Sequence, residues 1–159
     1  MVLRILIAED YKDLADSYKT ILEGRGHEVT ITTDGIECLR VYKQKVTQPD
    51  GKIRRYFDVI ILDYNMKGMN GIDTAKEIQN INPDQKIIFV TGYGSEVIQK
   101  LKELIRNAGV MNKPFTLDAL LVEVEGKWVS RLQEKTIGVL KEWNEHAVNS
   151  VPTSQSGII

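Results

Sequence analysis

The amino-acid sequence predicts an α/β fold, a doubly wound five-stranded parallel sheet with helices on both faces. Three observations carry this expectation. Short apolar runs rich in β-branched residues recur five times along the 159 residues. A segment with helical apolar spacing follows each run. No two runs adjoin without such a segment between them, so each connection is a crossover and the strands are parallel.

The elements follow in order. Ile5–Ala8 forms the first strand and runs into Glu9 and Asp10. Leu14, Tyr18, Ile21 and Leu22 share one helical face, and Gly24 and Gly26 supply the stop. Glu28–Thr32 alternates and is β-branched, which predicts the second strand. Asp34 and Gly35 form a turn, and residues 36–45 a second helix. Val59, Ile60, Ile61 and Leu62 lie between Asp58 and Asp63, as in a strand buried on both faces. A loop over Met66–Gly71 leads to a third helix marked by Ile72, Ala75 and Ile78, and Asn82, Pro83 and Asp84 break it. Ile87–Val90 is the fourth strand and ends at Thr91. Val97, Leu101, Leu104 and Ile105 belong to a fourth helix. Gly109–Asn112 is the fifth strand, running into Lys113 and Pro114 before a last helix starts near Thr116. Five such units most commonly take the flavodoxin-like strand order 2-1-3-4-5, with ligands bound beyond the carboxyl ends of the strands.

Two segments exceed a minimal five-unit domain. Val46–Phe57 contains Pro49, Asp50 and Gly51 and is longer than an ordinary connection. The last helix extends to about Ala147, with Gly126 and Gly138 as weak points. We therefore expect a domain over 1–129, a helical extension over 130–149 and a disordered Ser-, Thr- and Gly-containing tail over 150–159. Leu121 and Val124 complete the core, whereas Trp128, Leu132, Leu140 and Trp143 continue an apolar stripe beyond it. That stripe either folds back on its own domain or serves a homodimer or an output protein.

Bulk properties remove several functions. The formal net charge of −1 gives no basic excess for a nucleic-acid surface, and the cluster Lys52, Arg54 and Arg55 is too short to reverse that. Cys38 is the only cysteine, so no internal disulfide forms, and it is expected as a small buried hydrophobe. The amino terminus becomes acidic too soon for a signal peptide, and no apolar stretch is long enough to span a membrane. A cytoplasmic location is expected.

The chemistry gathers at the strand ends. In the predicted order Glu9, Asp10, Asp63 and Thr91 meet at the switch point, and Lys113 enters from strand 5. Three converging carboxylates repel, and either a divalent cation or protonation must relieve them. Mg²⁺ suits such oxygen ligands, and with it Asp63 becomes a nucleophile for a phosphoryl group. Lys113 and the Thr91 hydroxyl would meet the phosphoryl oxygens. Each residue also has an ordinary explanation: Asp10 as a helix cap, Asp63 as a turn cap, Lys113 as a surface cation, Thr91 as a strand residue. The joint pattern outweighs these.

The set Glu9-Asp10, Asp63, Met66-Lys67-Gly68-Met69-Asn70-Gly71, Thr91-Gly92 and Lys113-Pro114-Phe115 resembles the receiver domain of two-component response regulators, over about residues 1–129. The resemblance implies Asp63 as phosphoacceptor, Asp10 as direct metal ligand and Glu9 as its more distant partner. It further implies the Asn65 backbone carbonyl as a ligand, Thr91 as switch hydroxyl and Lys113 as phosphate-reading lysine. Mg²⁺, or Mn²⁺ in its place, is the implied cofactor. A sensor histidine kinase or histidine phosphotransfer protein is the implied donor, and the chain itself a signalling module rather than an enzyme. The chain departs from the pattern at three places. Glu stands at position 9 where Asp is commoner, Lys67 replaces the usual proline, and Val110 stands where an aromatic switch residue is usual. With no output domain following, the chain resembles a stand-alone receiver.

Rival functions fit less well. A haloacid-dehalogenase-like phosphohydrolase would carry an acid two residues after its nucleophile, where this chain has Asn65. A flavin or nucleotide module would have a Gly-, Ser- or Thr-rich loop after strand 1, not Glu9-Asp10-Tyr11-Lys12-Asp13. A degenerate receiver, binding constitutively or as a dimer, sits poorly with the intact acceptor, threonine and lysine.

Overall fold

The computed structural model describes residues 1–126. The chain divides into two compact units, Met1–Val124 and Glu125–Ile159. The expected extension over 130–149 and tail over 150–159 lie outside the described residues.

The elements are β1 (Arg4–Ala8), α1 (Lys12–Gly24), β2 (Glu28–Thr32), α2 (Gly35–Val46), β3 (Val59–Asp63), α3 (Gly71–Ile81), β4 (Lys86–Thr91), α4 (Ser95–Leu104) and β5 (Ala108–Asn112). A fifth helix, α5, begins at 117 and is followed to 126. The five strands are parallel and lie in the order β2-β1-β3-β4-β5, as the alternating pattern predicts.

Strand parity sorts the apolar side chains into two cores. On one face Ile5, Ile7, Val59, Ile61, Ile88 and Val90 pack with Tyr18 and Leu22 of α1 and with Leu120 and Val124 of α5. On the other Leu6, Ile60, Leu62, Ile87 and Phe89 pack with Cys38 and Tyr42 of α2, Ala75 and Ile78 of α3 and Leu101 of α4. Burying each such side chain contributes about 1.5–3 kcal/mol, so the central strands are the best-anchored part of the fold. Cys38 is fully buried, as expected, and burial pushes its thiol up to about 12.

Helix starts follow local chemistry. Asp34 and Asn70 accept the backbone N–H groups of Glu37 (2.8 Å) and Asp73 (2.9 Å) at the starts of α2 and α3. At α1 the helix cap suggested for Asp10 is absent, since Tyr11 holds that position and no side chain caps it. The long connection between α2 and β3 contains an antiparallel bridge, Thr47 to Ile53, with a turn in which Gly51 N–H donates to the Gln48 carbonyl at 2.9 Å. Leu104 ends α4, as expected, and is 46% exposed, whereas Ile105, expected in the helix, is its C-cap and is buried.

Candidate functional site

Register brings the charged residues together. Ala8 pairs with Leu62, so Glu9 and Asp63 leave β1 and β3 side by side at the carboxyl end of the sheet. Asp63 and Glu9 share the parity of the α1–α5 core, and both are nearly buried, at 7% and 2% exposure. Asp10 follows on the exposed rim. One carboxylate oxygen from each of Glu9, Asp10 and Asp63 lies within 4.8 Å of the others.

Lys113, just beyond β5, reaches back over this group. Its Nζ stands 3.4 Å from Glu9 Oε2 and 3.6 Å from Asp63 Oδ1. The Glu9 carboxyl is raised above the usual glutamate range, first by burial and then by the charge of Asp63. A hydrogen bond from the Tyr11 N–H (3.0 Å) and the Lys113 ammonium act in the opposite sense. One cation thus faces a carboxylate group it only partly balances. The donor set is all hard oxygen, preformed and undercompensated, which fits a small divalent cation such as Mg²⁺.

Asn65 turns its N–H to Asp63 Oδ1 at 3.4 Å. Thr91 is fully buried, and its hydroxyl oxygen accepts the Tyr93 N–H at 3.0 Å while its carbonyl accepts the Lys113 N–H at 2.7 Å. The structure therefore brings Glu9, Asp10, Asp63 and Lys113 into one cluster, with Thr91 bonded within its own turn. Gly71 allows the close approach of α3 to the end of β3 that carries Asp63: a Cβ there would meet the Asp63 carbonyl at 2.5 Å.

Three neighbours escape sequence reasoning. Tyr18 stacks on Phe115 with ring centroids 5.8 Å apart, and its buried hydroxyl has no hydrogen-bond partner. Burial, and then the charges of Glu9 and Asp63, raise the pKa of that phenol. Tyr64 packs edge-on against Tyr93 at 5.2 Å, beside Asp63. Asn112 faces the turn after β4. The sequence signals Tyr18 only as a core position, and Tyr64 and Asn112 only as neighbours of charged residues.

An acidic crevice capped by a lysine at the carboxyl edge of a 2-1-3-4-5 sheet defines an α/β domain of the flavodoxin-like class with its candidate site at the strand ends. The family profile of the response regulator receiver domain matches residues 5–125, and the chain belongs to that family. It is 33% identical over 122 residues to the response regulator receiver protein CpdR of Brucella abortus, covering 77% of this chain and 93% of that protein. It is 34% identical over 102 residues to the chemotaxis protein CheY of Thermotoga maritima, covering 62% of this chain and 77% of that one. Among solved structures, a CheY-like receiver domain protein from Methanospirillum hungatei matches with a TM-score of 0.67 at 27% identity, over 84% of this chain and 99% of that one. The chain is thus a signalling domain of the two-component type, and among the described residues no helix is long and apolar enough to cross a membrane.

Proposed function

We propose that this chain accepts a phosphoryl group on Asp63 and relays the signal through contact with an output protein. The observation that carries the proposal is the placement of a nearly buried Asp63 carboxylate at a strand end, with a lysine ammonium 3.6 Å away and two further carboxylates around it. A sensor histidine kinase or a histidine phosphotransfer protein is the donor. Asp63 attacks the phosphorus, a P–O bond forms as the P–N bond to histidine breaks, and the released imidazole takes up a proton. Lys113 trades its carboxylate partners for a phosphoryl oxygen, and the Thr91 hydroxyl turns to donate to another. Glu9, Asp10, Asp63 and the Asn65 carbonyl would hold Mg²⁺, for which Mn²⁺ could substitute. When bound, the ion screens the incoming phosphoryl group from the carboxylates and neutralises charge on its oxygens. Asn65 offers no acid or base for turnover of external substrates, so the chain is a phosphoacceptor and not an enzyme. The receiver occupies residues 1–129 and works in the cytoplasm.

Intact mass after incubation with acetyl phosphate tests this. One phosphoryl adduct is expected with Mg²⁺, none with a chelator, and none in Asp63→Asn. A folded protein that takes no adduct would refute the acceptor role and leave a module that binds without phosphate.

A further inference from the structure

The end of β5 makes a connection that the carboxylate crevice does not require. Asn112 is exposed and stands opposite Thr91 in the β4–β5 register. Its amide nitrogen donates to the Thr91 carbonyl at 2.9 Å and to the Tyr93 carbonyl at 3.0 Å. The reverse amide orientation would set oxygen against two carbonyl oxygens, so the hydrogen bonds select the first. The Thr91 carbonyl also accepts the Lys113 N–H, which fills both of its lone pairs from β5 and the residue after it. Within the same turn the Thr91 hydroxyl is held by the Tyr93 N–H, and the Tyr93 ring rests on Tyr64, the neighbour of Asp63.

These contacts share Thr91 and Tyr93. A rotation of the Thr91 side chain toward Asp63 would carry its oxygen away from the Tyr93 N–H, and a shift of Tyr93 would draw its carbonyl from Asn112 and its ring from Tyr64. Val110, packed partly buried against the α2–α4 core, is β-branched and stiff at χ1, so β5 has no aromatic ring to swing in that position.

We propose that Asn112 is a latch on the turn after β4, holding Thr91 and Tyr93 in the resting arrangement and letting go when a phosphoryl group on Asp63 draws the Thr91 hydroxyl. This rests on the acceptor role of Asp63. Asn112 is a positioning residue, acting through Thr91 and Tyr93 without touching the phosphoryl group. It links the turn to the segment that carries Lys113, so release is felt at both phosphate-reading residues.

Two variants of the full chain test the latch. Asn112→Asp keeps the shape and replaces the donor by an oxygen facing two carbonyls. Asn112→Ala removes the amide without adding charge. Both sit at an exposed position and leave the core intact, which thermal unfolding verifies. Without phosphodonor, the Tyr93 amide should exchange with solvent about tenfold faster in both, the order expected from losing two neutral hydrogen bonds. Amides of β3 should stay unchanged. With acetyl phosphate and Mg²⁺, Asn112→Ala should gain its adduct several-fold faster than the native chain. A merely structural defect would slow uptake, whereas release of a latch speeds it. Unchanged Tyr93 exchange in both variants overturns the proposal, and so does faster exchange with uptake unchanged or slower. A native chain that takes no adduct refutes the acceptor role by itself, before any variant is compared, and removes the coupling with it. The exchange measurement still decides whether Asn112 restrains the turn.

Discussion

Glu9 carries the least comfortable charge in the crevice. It is buried beside Asp63 with Lys113 3.4 Å away, and burial dominates, so its carboxyl holds a proton to higher pH in the folded chain than in the unfolded one. Its contribution to stability is full below the ordinary glutamate value and is lost as pH rises through the raised one. Without metal, Glu9→Gln should therefore melt about 2–4 °C higher than the native chain at pH 7 and no higher at pH 3.5. Calorimetry in a chelator checks this, and a lower midpoint at pH 7 would mean that the Lys113 contact outweighs burial. Tyr93 is half-exposed and leans on Tyr64 next to the acceptor. We propose that its ring screens Asp63 from water, so that Tyr93→Ala should shorten the life of the aspartyl phosphate several-fold. An unchanged decay rate would sink that role. Asp63, Glu9 and Lys113 were legible in the sequence because each ends an apolar run, where a charge marks a strand edge. Asn112 and Tyr18 were not, because their roles depend on which strand and which helix lie opposite. That is a property of the sheet order and register, not of local pattern.

At the scale of elements, the join between β3 and α3 is the tightest piece of backbone near the site. Gly71 lies where any Cβ would press on the Asp63 carbonyl at 2.5 Å and on the Tyr64 Cα at 3.1 Å. Gly71→Ala should cost about 1–3 kcal/mol in denaturant unfolding, as overpacking does. It should also slow phosphoryl uptake, since relief of the clash moves the acceptor itself. Equal stability and uptake would show that the α3 start yields freely. All five strands were readable from their apolar runs, with ends shifted by a residue or so. Lys86 and Ala108 join β4 and β5 through backbone hydrogen bonds that hydrophobicity does not report. The start of α1 shows why the ordinary explanation of Asp10 gives way to the joint pattern. An aspartate before a helix suits a cap, but Asp10 lies with Glu9 and Asp63 in the crevice, and α1 starts without a side-chain cap. The Thr47–Ile53 bridge was unreadable because one pair of residues leaves no periodicity.

At the scale of the molecule, the two cores and the crevice formed by the described residues lie within Met1–Val124. A 1–129 fragment should therefore take up a phosphoryl group at the rate of the full chain, and intact-mass time courses of the two check it. A fragment that folds but accepts slowly would give the residues beyond 129 a part in the chemistry. Light scattering of the same pair measures what residues 130–149 add to association. The connection between α2 and β3 enters the sheet at the amino-terminal edge of the strands, whereas the carboxylates and Lys113 stand at the carboxyl edge. Its turn around Asp50 and Gly51 is exposed and closed at its base by the Thr47–Ile53 bridge. That makes it a port for engineering. A fluorescent reporter spliced between Asp50 and Gly51 would ride on the domain from the end remote from its chemistry, and signalling could be watched without a label near the phosphoryl group.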